Sequence, residues 1–377
     1  MELAFTEEQE ELGRTLRRWL DKRSPASEVR RLMEGPLGYD PEVWGEMAGT
    51  LGLQGMAIPE AHGGSGFGWV ELGVVFEEMG RALCCAPYFA TVALAATAIL
   101  TSGDVEAMAE LLPGIASGEV VATLAVTEPD GRPELEAIRT RATRLGDGSW
   151  ELDGEKCFVV DGQVADTILV VSRSDHGLSL FAVAGDAPGL ARQALATMDQ
   201  TRRQGRLRFS GTPARLVGVE GGADAGLRRT LELAAVALAA EQVGGAQRCL
   251  DMAVDYAKVR VQFGRPIGSF QAVKHRLADM MVDIEQARSA AYMAALVAER
   301  DWDDPASTEL GVVASVAKAY CSDACFHAAE GCIQVLGGIG FTWEHDAHLY
   351  FKRAKSSQLA LGDPAYHREL LAGLVGM

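Results

Sequence analysis

The chain has 377 residues, and 48% of them are hydrophobic, which is enough for two or three packed domains. The net charge of −17 argues against a nucleic-acid-binding surface, because contacts with phosphates need clustered lysine and arginine. The seven cysteines lack zinc-site spacing and predict reduced thiols. Together with the acidic charge, they favour a soluble cytoplasmic protein.

Residues 1–118 are predicted to form an N-terminal helical domain. Thr6 and Gln9 match a capping box, and apolar residues then recur at helical spacing. Residues 82–103 carry no charge and are long enough for a membrane span, which needs roughly 20 residues. Because Pro87 interrupts this run, and because it is rich in alanine and threonine, we expect a buried core helix and no membrane span.

Residues 119–222 are predicted to form a middle antiparallel β domain. Short runs of β-branched and aromatic residues are separated by turn residues throughout this region. Within residues 150–162, Gly154 stands between two such runs, and this pattern predicts a hairpin.

The remaining residues, 223–377, return to helical periodicity. Long helices are predicted over 227–261, 270–299 and 308–329, with a last helical segment beginning at Asp346. Helices of this length predict a C-terminal four-helix bundle. Because strands and helices do not alternate along the chain, a doubly wound nucleotide fold is not expected. The predicted fold class is therefore α+β and mostly helical.

The most informative stretch is the break between the first two of these long helices. Pro266 lacks an N–H and restricts the residue before it, so the helix must end nearby. The break brings together Arg260, Gln262, Phe263 and Gln271. A guanidinium can bind a phosphate, a phenyl ring can lie against a base, and amides add donors and acceptors. The stretch suits a nucleotide with a pyrophosphate. An ordinary interhelical corner, with a solvated arginine and a core phenylalanine, also fits.

A second motif, Gln334 with Gly337 and Gly338, ends a later helical run. Its glycines allow left-handed turns and the close approach of a ligand. Together the two motifs resemble the FAD-binding motifs of acyl-CoA dehydrogenases, and the resemblance covers essentially the whole chain. It implies an acyl-CoA substrate, a homo- or heterotetramer, and an electron-transferring flavoprotein as electron acceptor. The FAD-contacting residues that it implies are Thr127, Arg260, Gln262, Phe263, Phe270, Gln271, Gln334, Gly337 and Gly338.

The resemblance also implies a catalytic base. In this family a carboxylate removes the α-proton of the thioester, while FAD accepts a hydride from the β-carbon. The two positions where the family places that carboxylate hold Leu361 and Ala234 in this chain. Glu241 lies about two helical turns after Ala234, among small apolar residues, and is the candidate base. A structural glutamate bonded to a nearby helix also fits. Asp363 is a weaker candidate, which could instead cap the segment that follows it.

The β domain departs from the family pattern on the flavin side. It keeps Thr127, Glu128 and Pro129 but lacks the glycine- and serine-containing segment that usually follows, whose serine contacts the flavin pyrophosphate. Val160 stands where a flavin-facing threonine is common, and Arg132 could replace the lost contact. Intact adenine-side motifs beside weakened flavin-side ones resemble bacterial members that act on steroid side chains and pair two unlike chains.

Two functions therefore remain open from the sequence. The first is an FAD-dependent acyl-CoA dehydrogenase, acting on a fatty or steroid side-chain thioester, with Glu241 as its base. The second is a non-catalytic partner subunit of a mixed acyl-CoA dehydrogenase oligomer that completes a shared FAD site. The position of Glu241 relative to the flavin ring distinguishes them.

Overall fold

The fold is α+β and mostly helical, as predicted, with helical regions on both sides of a β region. A computed structural model of the chain describes residues 6–304 and 307–377. The helices before the β region are α1 (Glu7–Arg23), α2 (Ala26–Glu34), α3 (Pro41–Gly49), α4 (Trp69–Arg81), α5 (Thr97–Thr101) and α6 (Val105–Ala116). A π-helical segment, Phe89–Ala96, leads directly into α5.

The start of α1 and the burial of the uncharged run both follow the sequence-based prediction. The amide nitrogen of Gln9 donates to Thr6 Oγ1 at 3.2 Å, and the Thr6 nitrogen donates to Gln9 Oε1 at 3.0 Å, which completes the capping box. Most residues of the run 82–103 are buried in the core. Over residues 6–304 and 307–377, no helix is long and apolar enough to cross a membrane.

Within the described residues, seven strands form one closed and mostly antiparallel sheet. They are β1 (Ala122–Ala125), β2 (Arg141–Arg144), β3 (Trp150–Val160), β4 (Thr167–Ser174), β5 (Gly177–Ala184), β6 (Leu190–Ala194) and β7 (Gln204–Val217). Because β4 pairs with both β2 and β5, the order β4-β2-β3-β7-β5 returns to β4. β1 and β2 run parallel to β4, and the other pairings are antiparallel.

The hairpin predicted over residues 150–162 is wrong, because β3 passes through this stretch as one continuous strand. Gly154, with φ of +141°, lies at a register shift against β7. A Cβ at this position would lie 2.9 Å from the Cα of Thr140, so a side chain cannot be accommodated without movement. The glycine therefore marks a bulge in one strand and not a reversal of the chain.

After the β region the chain forms the predicted long C-terminal helices. They are α7 (Asp224–Val259), α8 (Gln271–Asp301), α9 (Glu309–Leu336), α10 (Ala347–Leu359) and α11 (Pro364–Leu374). α7, α8 and α9 pack against one another, and α10 and α11 pack against α9. Two short strands, β8 (Val261–Gln262) and β9 (Arg265–Pro266), lie between α7 and α8.

Two glycines set the close approach of α4 to α7. A Cβ at Gly80 would lie 1.9 Å from the carbonyl oxygen of Glu241, and a Cβ at Gly244 would lie 1.8 Å from the carbonyl oxygen of Glu77. Because both residues lack a side chain, the two helix backbones come almost into contact. This crossing fixes Glu241 against the N-terminal helices.

Candidate functional site

The first sequence motif folds into a small hairpin just after α7. β8 and β9 pair antiparallel, and the two residues between them, Phe263 and Gly264, have φ of +51° and +77°. Two successive positive φ angles are typical of a type I′ turn, which closes two-residue hairpins. Residues 260–266 are termed the exposed hairpin below, because all of them are open to solvent.

The exposed hairpin presents the groups that a nucleotide requires. Phe263 is 91% exposed, so it is not the core residue of an ordinary corner. Its ring meets Phe270 edge-on, with 6.2 Å between the centroids, and the Arg265 guanidinium lies 4.1 Å from the Phe270 centroid. Arg260 and Gln262 are exposed beside them. Cationic, amide and aromatic groups therefore project outward from one short segment.

The second motif also lies at the surface. Gln334 is exposed near the end of α9, and Gly337 ends that helix with φ of +65°, as predicted. The chain then continues through Gly338 as a short 3-10 helix. Gln271, the first residue of α8, is exposed as well. The predicted adenine-side residues thus face the exterior of this chain.

On the β domain, Thr127 is half-buried two residues beyond β1, and Glu128 fixes the loop that follows. The Oε1 atom of Glu128 accepts hydrogen bonds from Thr140 N and Thr140 Oγ1, both at 2.7 Å, and from Lys156 Nζ at 3.1 Å. The carboxylate of Glu128 thus binds Thr140, at the other end of the loop, and so holds the two ends of the loop together.

Glu241 lies in an ion cluster. Only 6% of its surface is exposed. Arg202 Nη2 donates to both of its carboxylate oxygens, and Arg353 Nη1 donates to Oε1 at 2.9 Å. Arg353 also binds Asp199 Oδ2 through Nε at 2.9 Å. These four buried residues, Asp199, Arg202, Glu241 and Arg353, are termed the arginine–carboxylate cluster.

The cluster joins three parts of the fold. Asp199 and Arg202 come from the loop between β6 and β7, whereas Glu241 lies on α7 and Arg353 on α10. Thr201 completes it, since its Oγ1 accepts from Arg353 Nη2 at 2.7 Å and donates to Asp199 Oδ1 at 2.6 Å. The cluster therefore connects the β region to the C-terminal helices through charge-assisted hydrogen bonds.

Glu241 was expected to be a base among apolar residues, but in the structure two guanidiniums contact its carboxylate. Burial opposes its ionisation, but the guanidiniums of Arg202 and Arg353 outweigh burial and hold the pKa of Glu241 below its usual value. Asp199 and Glu241 likewise outweigh the burial of Arg353 and raise the pKa of that guanidinium. A carboxylate held by two arginines is a weak base. The geometry thus favours a structural Glu241, bonded to α10.

Leu361 and Asp363 lie in one turn, which is held by hydrogen bonds. Leu361 has φ of +60° and Gly362 has φ of +97°. Lys318, which is fully buried on α9, donates through Nζ to the carbonyl oxygens of Gln358 at 3.2 Å and Gly362 at 3.0 Å. Asp363 accepts a hydrogen bond at 2.8 Å from a backbone nitrogen in the first turn of α11. Asp363 therefore serves as the helix cap that was its alternative role.

Glu241 borders a small cavity of about 20 Å³, which has room for about one water molecule. Phe76, Met79 and Phe89 form its apolar side, and Asp161 and the cluster form its polar side. Of the described residues that line it, only Glu241 is among the site residues predicted from the sequence.

Sequence reasoning missed the arginines that pair with Glu241. A glutamate that is buried within an apolar run needs a cation nearby. However, Arg202 and Arg353 lie 39 and 112 positions away along the chain. Neither position shows a local pattern that links it to α7.

The predicted cofactor therefore fits this chain at one end only. The exposed hairpin offers a guanidinium, an amide and aromatic rings to the adenine and pyrophosphate of FAD. The cavity beside Glu241 has no space for a three-ring flavin, and Glu241, Arg202 and Arg353 on its polar side are already hydrogen bonded. The described residues thus present groups suited to the adenine side, whereas the cavity beside Glu241 does not accommodate the ring.

Family models match nearly the whole chain. The acyl-CoA dehydrogenase N-terminal domain matches residues 6–119, the middle domain matches residues 123–212, and the C-terminal domain matches residues 222–375.

Individual relatives match over nearly their full length. Acyl-CoA dehydrogenase IpdE2 of Mycolicibacterium smegmatis is 35% identical over 360 residues, which cover 96% of each protein. A solved variant of the Tcur3481-Tcur3483 steroid ACAD is 34% identical, with a TM-score of 0.88 and 98% of both chains covered. A chain of the ChsE4-ChsE5 complex from Mycobacterium tuberculosis is 31% identical, with a TM-score of 0.89, and 100% of this chain and 99% of that chain are covered.

Proposed function

The chain belongs to the acyl-CoA dehydrogenase family, and on that premise we propose that it acts as a subunit in the α,β-dehydrogenation of an acyl-CoA thioester. The family consists of FAD-binding oxidoreductases that act on acyl-CoA. When bound, FAD supplies the hydride acceptor for this reaction. In the proposed assembly this chain contributes the adenine-side contacts of a shared FAD site, and the base comes from another chain.

One observation carries this proposal: the two parts of the predicted site are separated within the chain. The exposed hairpin, with Arg260 and Phe263, faces solvent. Glu241 lines a small cavity that none of the hairpin residues line. A hairpin with unpaired nucleotide-binding groups is suited to reach FAD that is bound to a neighbouring subunit. We therefore propose a tetramer in which FAD lies between chains.

The relatives support a mixed assembly and a bulky substrate. Two of the similar solved structures carry paired names, the ChsE4-ChsE5 complex and the Tcur3481-Tcur3483 steroid ACAD. We propose by analogy that this chain also pairs with an unlike one, and that a steroid side chain or a fatty acyl group is the substrate. An electron-transferring flavoprotein is the proposed electron acceptor.

A second candidate is a self-sufficient dehydrogenase with Glu241 as its base. The observation in its favour is that Glu241 is a carboxylate bordering the small cavity. For this function the carboxylate must release Arg202 and Arg353 before it can accept a proton, because their charges lower its pKa.

Anaerobic reduction of the bound flavin tests the proposal. The complex, isolated through a tag on this chain, is mixed with a panel of fatty and steroid side-chain acyl-CoA thioesters, and bleaching of the flavin absorbance is followed. We expect bleaching by at least one thioester in the complex and no bleaching with this chain alone. Bleaching by the chain alone would instead support the self-sufficient dehydrogenase.

The contribution of the exposed hairpin is tested by Arg260→Ala in the same complex. We expect this variant to retain at least tenfold less FAD after gel filtration, since a lost charge-assisted contact to phosphate weakens binding by about that factor or more. Arg14→Ala, which removes an exposed arginine of α1, is the matched control and should retain FAD fully. Equal FAD in both variants would reject the proposed role of the hairpin.

A further inference from the structure

The small cavity beside Glu241 does not fit the flavin ring of FAD, the cofactor of the family. We infer that the arginine–carboxylate cluster closes this cavity to the flavin ring and to the thioester. An unlike chain of the same fold, with an open cavity and an unpaired carboxylate, must then supply the place where both lie. This inference rests on the proposed function and identifies the partner by its chemistry.

The first argument is space. The cavity of about 20 Å³ accommodates about one water molecule, whereas a flavin is a flat system of three fused rings. The guanidinium of Arg202 lies 5.0 Å from the centroid of the Phe89 ring, and so covers the aromatic face on that side. A ring could reach Phe89 only after Arg202 had moved away.

The second argument is that Glu241, Arg202 and Arg353, which line the cavity, are already bonded to one another or to neighbouring residues. Glu241 Oε1 accepts from both arginines, and Oε2 accepts from Arg202. Arg202 Nη1 donates to Ser357 Oγ at 3.2 Å, and Arg353 uses its remaining nitrogens on Asp199 and Thr201. A thioester carbonyl or a flavin edge that bound to these nitrogens would compete with Glu241, Ser357, Asp199 and Thr201. It would have to displace bonds that are made within the protein.

The third argument is that the cluster cannot move aside easily. Its members are held from three elements: the loop between β6 and β7, α7, and α10. Separating a buried ion pair leaves uncompensated charge in a low-dielectric interior. A ligand that opened the cluster would bind about a hundredfold or more weakly than it would bind to an open cavity.

These arguments determine two properties of the partner chain. It must present a cavity large enough for the flavin ring, so it must lack arginines where this chain has Arg202 and Arg353. It must also carry a carboxylate that no guanidinium neutralises, because removal of an α-proton needs a basic group. A second copy of this chain has neither property.

The test counts FAD against polypeptides in the complex isolated through a tag on this chain. The expected result is equal amounts of this chain and of an unlike chain of the same fold, with one FAD for each such pair. A complex of this chain alone, with one FAD for each copy, would overturn the inference. That result would still be compatible with the proposed function, with the FAD site shared between identical chains.

A second measurement needs no partner and no variant. FMN carries the flavin ring without the adenine, and the full-length chain is titrated with it while flavin fluorescence is followed. We expect no saturable binding up to about 1 mM FMN, the concentration at which only weak complexes form. Saturable binding of one FMN per chain would overturn the inference. Arg260→Ala distinguishes the two failures, because undiminished FAD in that variant rejects the shared site itself.

Discussion

The carboxyl group of Asp161 provides a quantitative test of the electrostatics beside the cavity. Burial raises its pKa from the ordinary value of 3.8 to about 7, although Arg202, Arg353 and Arg203 act in the opposite direction. Its backbone has φ of +54°, a conformation in which asparagine and aspartate are enriched. Asp161→Asn therefore removes the titration while keeping the size and the backbone angle of the residue.

The sign and the magnitude follow from proton linkage. Because the pKa of Asp161 is higher in the folded chain, its stabilising contribution is complete below the unfolded value and is lost as the pH rises through about 7. Each pH unit of displacement corresponds to about 1.4 kcal/mol. From pH 5 to pH 8, the wild-type chain should lose roughly 2.5 kcal/mol of unfolding free energy relative to Asp161→Asn.

Urea denaturation at both pH values, followed by circular dichroism, measures this difference. Asp175→Asn, at an exposed position of the turn after β4, is the matched control and should follow the wild-type chain at both pH values. If the unfolding free energies of Asp161→Asn and of the wild-type chain change with pH in parallel, the proposed burial of a titrating carboxyl is refuted.

Three further substitutions test other parts of the structure. Glu241→Gln should lower the unfolding free energy by about 3–5 kcal/mol in urea titrations, because it leaves two buried guanidiniums without their shared carboxylate; an unchanged midpoint would contradict an ionised cluster. Gly154→Ala should destabilise by about 1–3 kcal/mol, since its Cβ would meet Thr140, whereas Gly146→Ala, with open space around it, should unfold at the wild-type urea concentration. Phe263→Ala should unfold as the wild type does, because Phe263 is 91% exposed, but FAD should bind the complex about two- to tenfold more weakly in equilibrium dialysis.

Local patterns predicted most of the fold, because they depend on neighbouring residues. The capping box at Thr6, the buried run 82–103 and the glycine ending of α9 at Gly337 all follow from spacing and backbone preference. Gly154 was interpreted incorrectly, because a glycine between two β-rich runs has the same local pattern in a turn and in a bulge. Only the position of Thr140, the residue before β2, distinguishes the two.

The candidate site was predicted less completely, because its decisive contacts are between distant residues. Arg260 and Phe263 could be identified from a compact motif, and the structure places them on one exposed hairpin. Glu241 was predicted to be the catalytic base because of its apolar sequence neighbours, and those neighbours do not indicate the two guanidiniums that contact it. Its electrostatic partners, Arg202 and Arg353, reach it from a β-domain loop and from α10. Nothing along α7 indicates them.

The turn around Leu361 is held in its shape by backbone contacts. Its shape is set by carbonyl oxygens that accept from Lys318 and by the contact of Leu361 O with His367 Nε2 at 3.0 Å. At Gly362 a Cβ would lie 2.2 Å from a ring carbon of Tyr366, so the glycine is required there. None of these constraints involves the side chain at position 361. The side chain of Leu361 packs against the hydrophobic core, so a substitution there would change that packing while leaving these backbone contacts in place.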